Sequence, residues 1–132
     1  MRAKAILTVI GSVMFLQGLA FYFFSIPITQ NMFPDAGDEA IKVGAVLREI
    51  LAAGSLFIGI ILFLSRTNVT SSAKRILFGA SIGFSILLAI LTHIAFTNEA
   101  VSIPIAPFII FAFFAVLSFF YGDPGIGDRR GF

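Results

Sequence analysis

The sequence predicts an all-α protein, a four-helix transmembrane bundle in up-down-up-down order with both termini in the cytoplasm. Three observations lead to this prediction. The 132 residues are 58% hydrophobic and only 12% charged, whereas a soluble domain is about a quarter charged. Four apolar runs each approach the ~20 residues that a helix needs to cross a bilayer. Lys and Arg gather in alternate connections, a pattern that orients membrane helices.

The four spans are predicted at about residues 5–28, 41–64, 76–97 and 103–121. These runs are too long and too little alternating for barrel strands, which need about ten alternating residues each. Polar connections at 29–40, 65–75 and 97–104 separate the spans, and the first of them contains Pro34 and Gly37. We expect one integral membrane domain over residues 1–132, without a separate soluble module.

The start of the chain has features of a secretory signal peptide, namely a basic opening and the letters "GLA" ending at Ala20. The apolar run continues through "FYFFSIPI", beyond a typical signal-peptide core. We therefore expect this segment to be kept as the first membrane anchor.

The distribution of basic residues predicts the orientation. Seven of the nine lie before span one, between spans two and three, or after span four: Arg2, Lys4, Arg66, Lys74, Arg75, Arg129 and Arg130. The opposite side holds Lys42 and Arg48, together with most of the acidic residues. The positive-inside rule then places both termini in the cytoplasm. The net charge of +2 is thereby explained by topology and predicts no nucleic-acid partner.

Small residues recur at helical spacing in three spans, which predicts the faces that pack in the bundle interior. These stripes are Gly11, Phe15, Gly18, Tyr22 and Ser25 in span one, Gly44, Arg48, Ala52, Ser55 and Gly59 in span two, and Gly79, Gly83, Ile86, Ile90, His93 and Thr97 in span three. Span four, "FIIFAFFAVLSFFYG", has no polar residue before Ser118. We expect span four to face lipid or another subunit.

Arg48 and Glu49 are two adjacent charges within span two. A helix that began only at Ile50 would retain roughly 15 residues, about 22 Å, which is short of the ~30 Å hydrocarbon core. Arg48 is therefore predicted about 10 Å from the outer end of the span. Either its long side chain snorkels to the surface, or the pair belongs to a polar site.

In the second interpretation, Arg48, Glu49, His93 and Tyr22 form the wall of a ligand-binding pocket that opens to the outer leaflet. His93 and Tyr22 are each a few residues from the outer ends of their spans, at a depth similar to that of Arg48. Glu49 with His93 could relay protons, and Arg48 could hold an anionic headgroup, a carboxylate or a carbonyl.

The sequence excludes several kinds of chemistry. It contains no cysteine, one histidine, no metal-ligand set, no phosphate-binding loop and no nucleophile–base pair. We predict no catalytic residue, metal or cofactor, and a non-enzymatic role in the lipid bilayer, as an accessory subunit of a larger membrane complex or as a small lipid- or ligand-binding bundle. The alternatives are a homo-oligomeric transporter or channel that uses Arg48, Glu49 and His93, and a membrane enzyme built on the same three residues.

The segments "LREILAAGSLFIGIILFLSR" and "AKRILFGASIGFSILL" resemble small bacterial four-helix membrane proteins of the DoxX-like type. The resemblance covers mainly spans two and three. It implies a four-helix inner-membrane protein, in some cases associated with larger redox or stress-related assemblies, and it implies no catalytic residue. The absence of cysteine argues against a thiol-linked role.

Overall fold

The computed structural model describes residues 2–123, and this part of the chain is helical with short connections. Its helices are α1 (Arg2–Phe23), α2 (Ser25–Met32), α3 (Asp38–Leu64), α4 (Thr70–Thr97) and α5 (Ile105–Gly122), with a 3-10 turn at Ser65–Thr67 after α3. Four of these helices, all except α2, are long and apolar enough to cross a membrane. The predicted all-α class and the four apolar helices are confirmed.

The first predicted span is divided by a bend. α1 ends at Phe23, and α2 begins at Ser25. Pro27 explains the bend, because it has no N–H to donate to the carbonyl of Phe23 and its ring clashes with that carbonyl in a straight helix. The prediction that 29–40 forms a loop was wrong at both ends. Residues 29–32 belong to α2 and residues 38–40 to α3, which leaves 33–37 as the connection.

The other bounds differ by a few residues. α3 begins three residues before the predicted start at 41, α4 begins six before 76, and α5 begins two after 103. The polar residues of "TSSAKR" are thus part of α4, since a membrane helix extends beyond the hydrocarbon core into the headgroup region.

The helices associate mainly as two antiparallel pairs. In the pair of α1 and α3, Gly11 lies against Phe63 and Gly18 lies against Leu56, so the chain numbers rise in one helix as they fall in the other. In the pair of α4 and α5, the ring of Phe84 packs against those of Phe111 and Phe114, with centroids 6.0 and 5.5 Å away. A shared apolar core joins the two pairs and includes Leu7, Ile10, Met14, Leu62, Leu77 and Phe84.

Close contact between α1 and α3 depends on glycine. A Cβ atom on Gly59 would lie 2.7 Å from the backbone nitrogen of Phe15, and one on Gly11 would lie 2.6 Å from that of Phe63. These predicted small-residue positions of spans one and two do face the bundle interior. Phe15 and Tyr22, from the same predicted stripe, are exposed.

The predicted interior face of span three was wrong. Gly79 and Gly83 have no atom within 4 Å of an added Cβ, and Ile86, Ile90 and His93 are exposed. α4 instead buries Ala73, Leu77, Ser81 and Phe84. The reason is the partner helix. α5 presents large aromatic rings, and these bury more surface against the ring of Phe84 than they would against a row of glycines.

α5 was predicted to face lipid or another subunit, and this was wrong for one of its faces. Phe111, Phe114 and Ser118 are buried, while Ile109, Phe113, Val116 and Phe120 on the opposite side are exposed. One face therefore belongs to the protein core and the other is free to contact lipid.

Candidate functional site

Two polar side chains of α2 meet the two charges of α3, and we refer to these four residues, Ser25, Thr29, Arg48 and Glu49, as the polar cluster. Ser25 and Thr29 are four residues apart and so lie on the same face of α2, where both are buried. Gly44 of α3 allows α2 to come close, because an added Cβ there would lie 2.7 Å from Cγ2 of Thr29. The bend at Phe24 thus directs a short hydroxyl-bearing helix onto the charged part of α3.

Arg48 contacts α2 and the end of α1. Its Nε donates a hydrogen bond to Oγ1 of Thr29 at 3.2 Å, and its Nη2 lies 2.7 Å from Sδ of Met32, a weak acceptor. The guanidinium carbon is 5.2 Å from the centre of the Phe21 ring, within the range of a cation–π interaction. Thr29 is itself held in place, because its hydroxyl donates to the carbonyl of Ser25 at 2.6 Å.

Glu49 is bound by the neighbouring hydroxyl. Oγ of Ser25 donates a hydrogen bond to Oε1 of Glu49 at 3.0 Å. The second carboxylate oxygen, Oε2, has no partner among the described residues. The two charges are therefore attached to hydroxyls one helical turn apart on α2.

The charges are not neutralised within the described part of the chain. Arg48 and Glu49 form no ion pair with each other or with another residue among 2–123. This agrees with their adjacency, since neighbouring residues on a helix do not face each other. Two of the five N–H groups of the guanidinium have partners, and the other three have none among residues 2–123. The polar cluster thus has unused donors and acceptors.

The surface around the polar cluster on α3 is apolar. Leu47, Ile50 and Leu51, which flank the two charges in sequence, are 57%, 64% and 63% exposed. Those side chains lie on a helix that is apolar and long enough to span a bilayer. The side of α3 next to the two charges is therefore an exposed apolar surface.

The structure brings together two of the four sequence-predicted site residues. Tyr22 is 55% exposed, and its ring packs on Phe23 with centroids 5.4 Å apart. His93 is exposed on α4, and its side chain has no hydrogen bond to another described residue. Neither contacts Arg48 or Glu49 through a hydrogen bond or a ring, so the proton relay between Glu49 and His93 has no direct path here.

Sequence reasoning missed Thr29, Met32 and Phe21. The first two were assigned to a loop because "TQNM" is polar and precedes Pro34 and Gly37. The spacing of Ser25 and Thr29, four residues apart and directly after an apolar helix, was the available signal for a hydroxyl-bearing face. Phe21 carried no signal, because it is one of 17 phenylalanines.

An apolar groove of about 410 Å³ lies between α1 and α3. Phe15 and Leu16 of α1 and Ile60 and Phe63 of α3 line it. Gly59 at this groove is eleven residues from Arg48, about 16 Å along the helix. The groove, between α1 and α3, and the polar cluster, between α2 and α3, are therefore separate features of the molecule.

No protein-family model, no curated protein and no solved structure matches this chain. The resemblance to DoxX-like proteins stays a prediction. The fold and composition fit a helical transmembrane bundle, and the polar cluster is a potential ligand site within it.

Proposed function

We propose that this chain is a bacterial inner-membrane protein that crosses the membrane four times, up-down-up-down, with both termini in the cytoplasm. In this proposal it is a non-enzymatic bundle that binds a lipid or another ligand at the polar cluster, in the outer leaflet. One observation carries the binding proposal: Arg48 has three free N–H groups and no carboxylate partner within residues 2–123.

A charge in this position is expensive. An Arg at the centre of a membrane helix costs about 2.5–3.5 kcal/mol on insertion scales, which is an upper bound for Arg48 in the outer leaflet, and such residues pair with another charge, with backbone carbonyls or with water. Thr29, Met32 and Phe21 supply only neutral contacts. An anionic ligand would supply the missing charge, and Arg binds phosphate and carboxylate groups through paired N–H donors.

Two observations support the proposed orientation. Basic residues concentrate in the connections assigned to the cytoplasm. In addition, the backbone N–H of Ser102, between α4 and α5, donates to the carbonyl of Met32, the last residue of α2, at 2.9 Å, so the two chain segments that the proposal assigns to the outer side lie at the same end of the bundle.

Orientation can be tested with single cysteines, since the chain has none of its own. We expect Asp35→Cys to react with a membrane-impermeant maleimide in intact spheroplasts, and Asn68→Cys to react only after the membrane is permeabilised. Labelling of Asn68→Cys in intact spheroplasts, with Asp35→Cys protected, would reverse the proposed topology.

Binding can be tested by native mass spectrometry of protein extracted in a mild detergent. We expect wild-type protein to keep a bound phospholipid. The amount of that lipid adduct on Arg48→Met should be lower by about tenfold or more, because a charge-assisted hydrogen bond contributes about 1.5–3 kcal/mol. Arg66→Met is the matched control. Arg66 lies on the 3-10 turn after α3, 4.0 Å from the Phe63 ring centre, and is exposed.

The binding proposal fails if wild-type protein and Arg48→Met retain the same lipid. Circular dichroism and size-exclusion profiles of each variant confirm that any loss of lipid does not come from unfolding.

A role as an accessory subunit is supported by a different surface. Gly79 and Gly83 of α4 have open space around them, and small residues four apart allow a helix of another protein to come close. Under this second proposal, Gly79→Leu and Gly83→Leu would abolish co-purification of a partner from native membranes, while the lipid adduct at Arg48 would be unchanged.

A further inference from the structure

We propose that the polar cluster recognises a zwitterionic headgroup, namely a phosphate joined by a two-carbon linker to a primary ammonium, as in a phosphoethanolamine lipid. This inference rests on the proposed binding function and names its ligand class. In it, Arg48 binds the phosphate and Glu49 accepts a hydrogen bond from the ammonium group.

In the described part of the chain, the polar cluster has hydrogen-bond donors without a partner on its cation and an acceptor without a partner on its anion. Within residues 2–123, both N–H groups of Nη1 and one of Nη2 on Arg48 have no partner. Oε2 of Glu49 likewise has no partner among these residues. A purely anionic ligand would pair with Arg48 and leave the charge of Glu49 without a counter-charge. A purely cationic ligand would pair with Glu49 and leave Arg48 without one. A ligand that carries one charge of each sign can pair with both residues.

The separation of the two charges suits such a ligand. Arg48 Nε lies 3.2 Å from Thr29 Oγ1, and Glu49 Oε1 lies 3.0 Å from Ser25 Oγ. Side chains four apart on a helix are about 5–6 Å apart at their Cβ atoms. The two charged groups are thus anchored to hydroxyls about one helical turn apart on α2, and they form no ion pair with each other. An ethanolamine linker separates phosphate from ammonium by a comparable span.

The surroundings favour a lipid over a free solute as the source of this headgroup. The exposed neighbours Leu47, Ile50 and Leu51 would contact acyl chains, and the two charges lie within a membrane-spanning helix. A ligand with its own apolar tail can remain in the bilayer while its headgroup enters the polar cluster.

The test is a competition in native mass spectrometry. Purified, delipidated protein is mixed with equal amounts of phosphatidylethanolamine, phosphatidylcholine and phosphatidylglycerol of the same chain length. Phosphatidylcholine has the same phosphate, but its quaternary ammonium has no N–H to donate to Glu49. We expect about tenfold more phosphatidylethanolamine adduct than phosphatidylcholine adduct, the effect of one charge-assisted hydrogen bond.

Glu49→Gln separates the two halves of the site. In this variant we expect the preference for phosphatidylethanolamine over phosphatidylcholine to fall to within about twofold, while phosphate binding through Arg48 persists. Glu39→Gln is the matched control, because Glu39 is an exposed residue in the first turn of the same helix. It should keep the wild-type preference.

The outcomes distinguish this inference from the broader proposal. Equal binding of all three lipids, or a preference for phosphatidylglycerol, overturns the zwitterion inference and leaves Arg48 as a general anion site. An absence of any Arg48-dependent adduct overturns both. Stabilisation by soluble phosphoethanolamine without a lipid adduct upholds the headgroup chemistry and overturns the lipid as its source.

Discussion

Helix α3 associates with α1 and with α2 in opposite ways. At Gly11, Gly18 and Gly59, which we call the glycine crossing, α1 and α3 are so close that an added Cβ would lie 2.6–2.7 Å from the nearest atom, a backbone nitrogen for Gly11 and Gly59 and Cγ of Leu56 for Gly18. At the polar cluster, side chains of α2 and α3 meet through single hydrogen bonds, and both charged groups keep hydrogen-bonding atoms without a partner among residues 2–123. The first contact brings two helix backbones together, whereas the second leaves two charged groups with spare hydrogen-bonding capacity.

This difference has a physical basis. Lipid provides no hydrophobic force that drives helices together, so close van der Waals packing of small residues stabilises the pair. The glycine crossing supplies that packing. If the polar cluster binds a ligand as proposed, its unpaired charges follow a known pattern, since binding sites commonly sacrifice stability.

The largest effect is expected at the glycine crossing. Gly59→Leu would force a side chain against the backbone of α1, at Phe15 N and Gly11 O. We expect a loss of about 3 kcal/mol or more in the free energy of unfolding, measured by thermal or denaturant unfolding in detergent micelles.

Gly54→Leu is the control for this prediction. It lies on the same helix, but no atom lies within 4 Å of an added Cβ. Its stability should be unchanged or higher by about 1 kcal/mol, since Leu forms helix better than Gly. Equal damage from both substitutions would mean that glycine packing does not hold the pair together.

A smaller effect is expected for Thr29→Val in the polar cluster. The substitution keeps the shape of the side chain and removes the oxygen that accepts from Arg48 Nε. We expect a loss of about 0.6–1.5 kcal/mol in the free energy of unfolding, the usual contribution of one hydrogen bond in a membrane protein or a soluble one.

Thr92→Val is matched to it. Both hydroxyls donate to a carbonyl four residues earlier in their own helix, at 2.6 Å for Thr29 and 2.8 Å for Thr92, but only Thr29 also accepts from an arginine. A loss for Thr92→Val as large as that for Thr29→Val would show that the contact with Arg48 contributes nothing.

The smallest effect is expected for Phe21→Leu. This change removes the ring 5.2 Å from the Arg48 guanidinium and should lower the unfolding free energy by about 0.5–1 kcal/mol. Phe57→Leu, at an exposed position of α3, should produce no measurable change. A double substitution with Arg48→Met tests the pairing directly, because the effect of Phe21→Leu should disappear when Arg48 is absent.

Much of the fold could be predicted from the sequence because the relevant signals are local. A run of about 20 apolar residues indicates a membrane helix whatever its partners are, and the four runs correspond to four long apolar helices. Pro27 was visible as well, but it was read as part of a continuous span. The bend that it produces determines where residues 29–32 lie in the fold.

The candidate site could be predicted only in part. Arg48 and Glu49 were recognisable, because charges inside an apolar run are unusual. Their partners were not, since depth along a span does not state which faces of two helices meet. Tyr22 and His93 have suitable depth, but both are exposed. Thr29 is buried and contacts Arg48 because of the bend in the preceding helix.

The sequence by itself determined that the long helices are apolar enough for a lipid bilayer, how many of them there are and where the two charges lie. Hydropathy and charge are properties of single residues and short segments, which is why they could be read without the fold. Only the tertiary structure decided which glycines are in contact, which face of α4 is buried and which hydroxyls meet Arg48 and Glu49. Those outcomes depend on the rotation of each helix about its axis and on one proline bend, and both follow from the packing of the whole bundle.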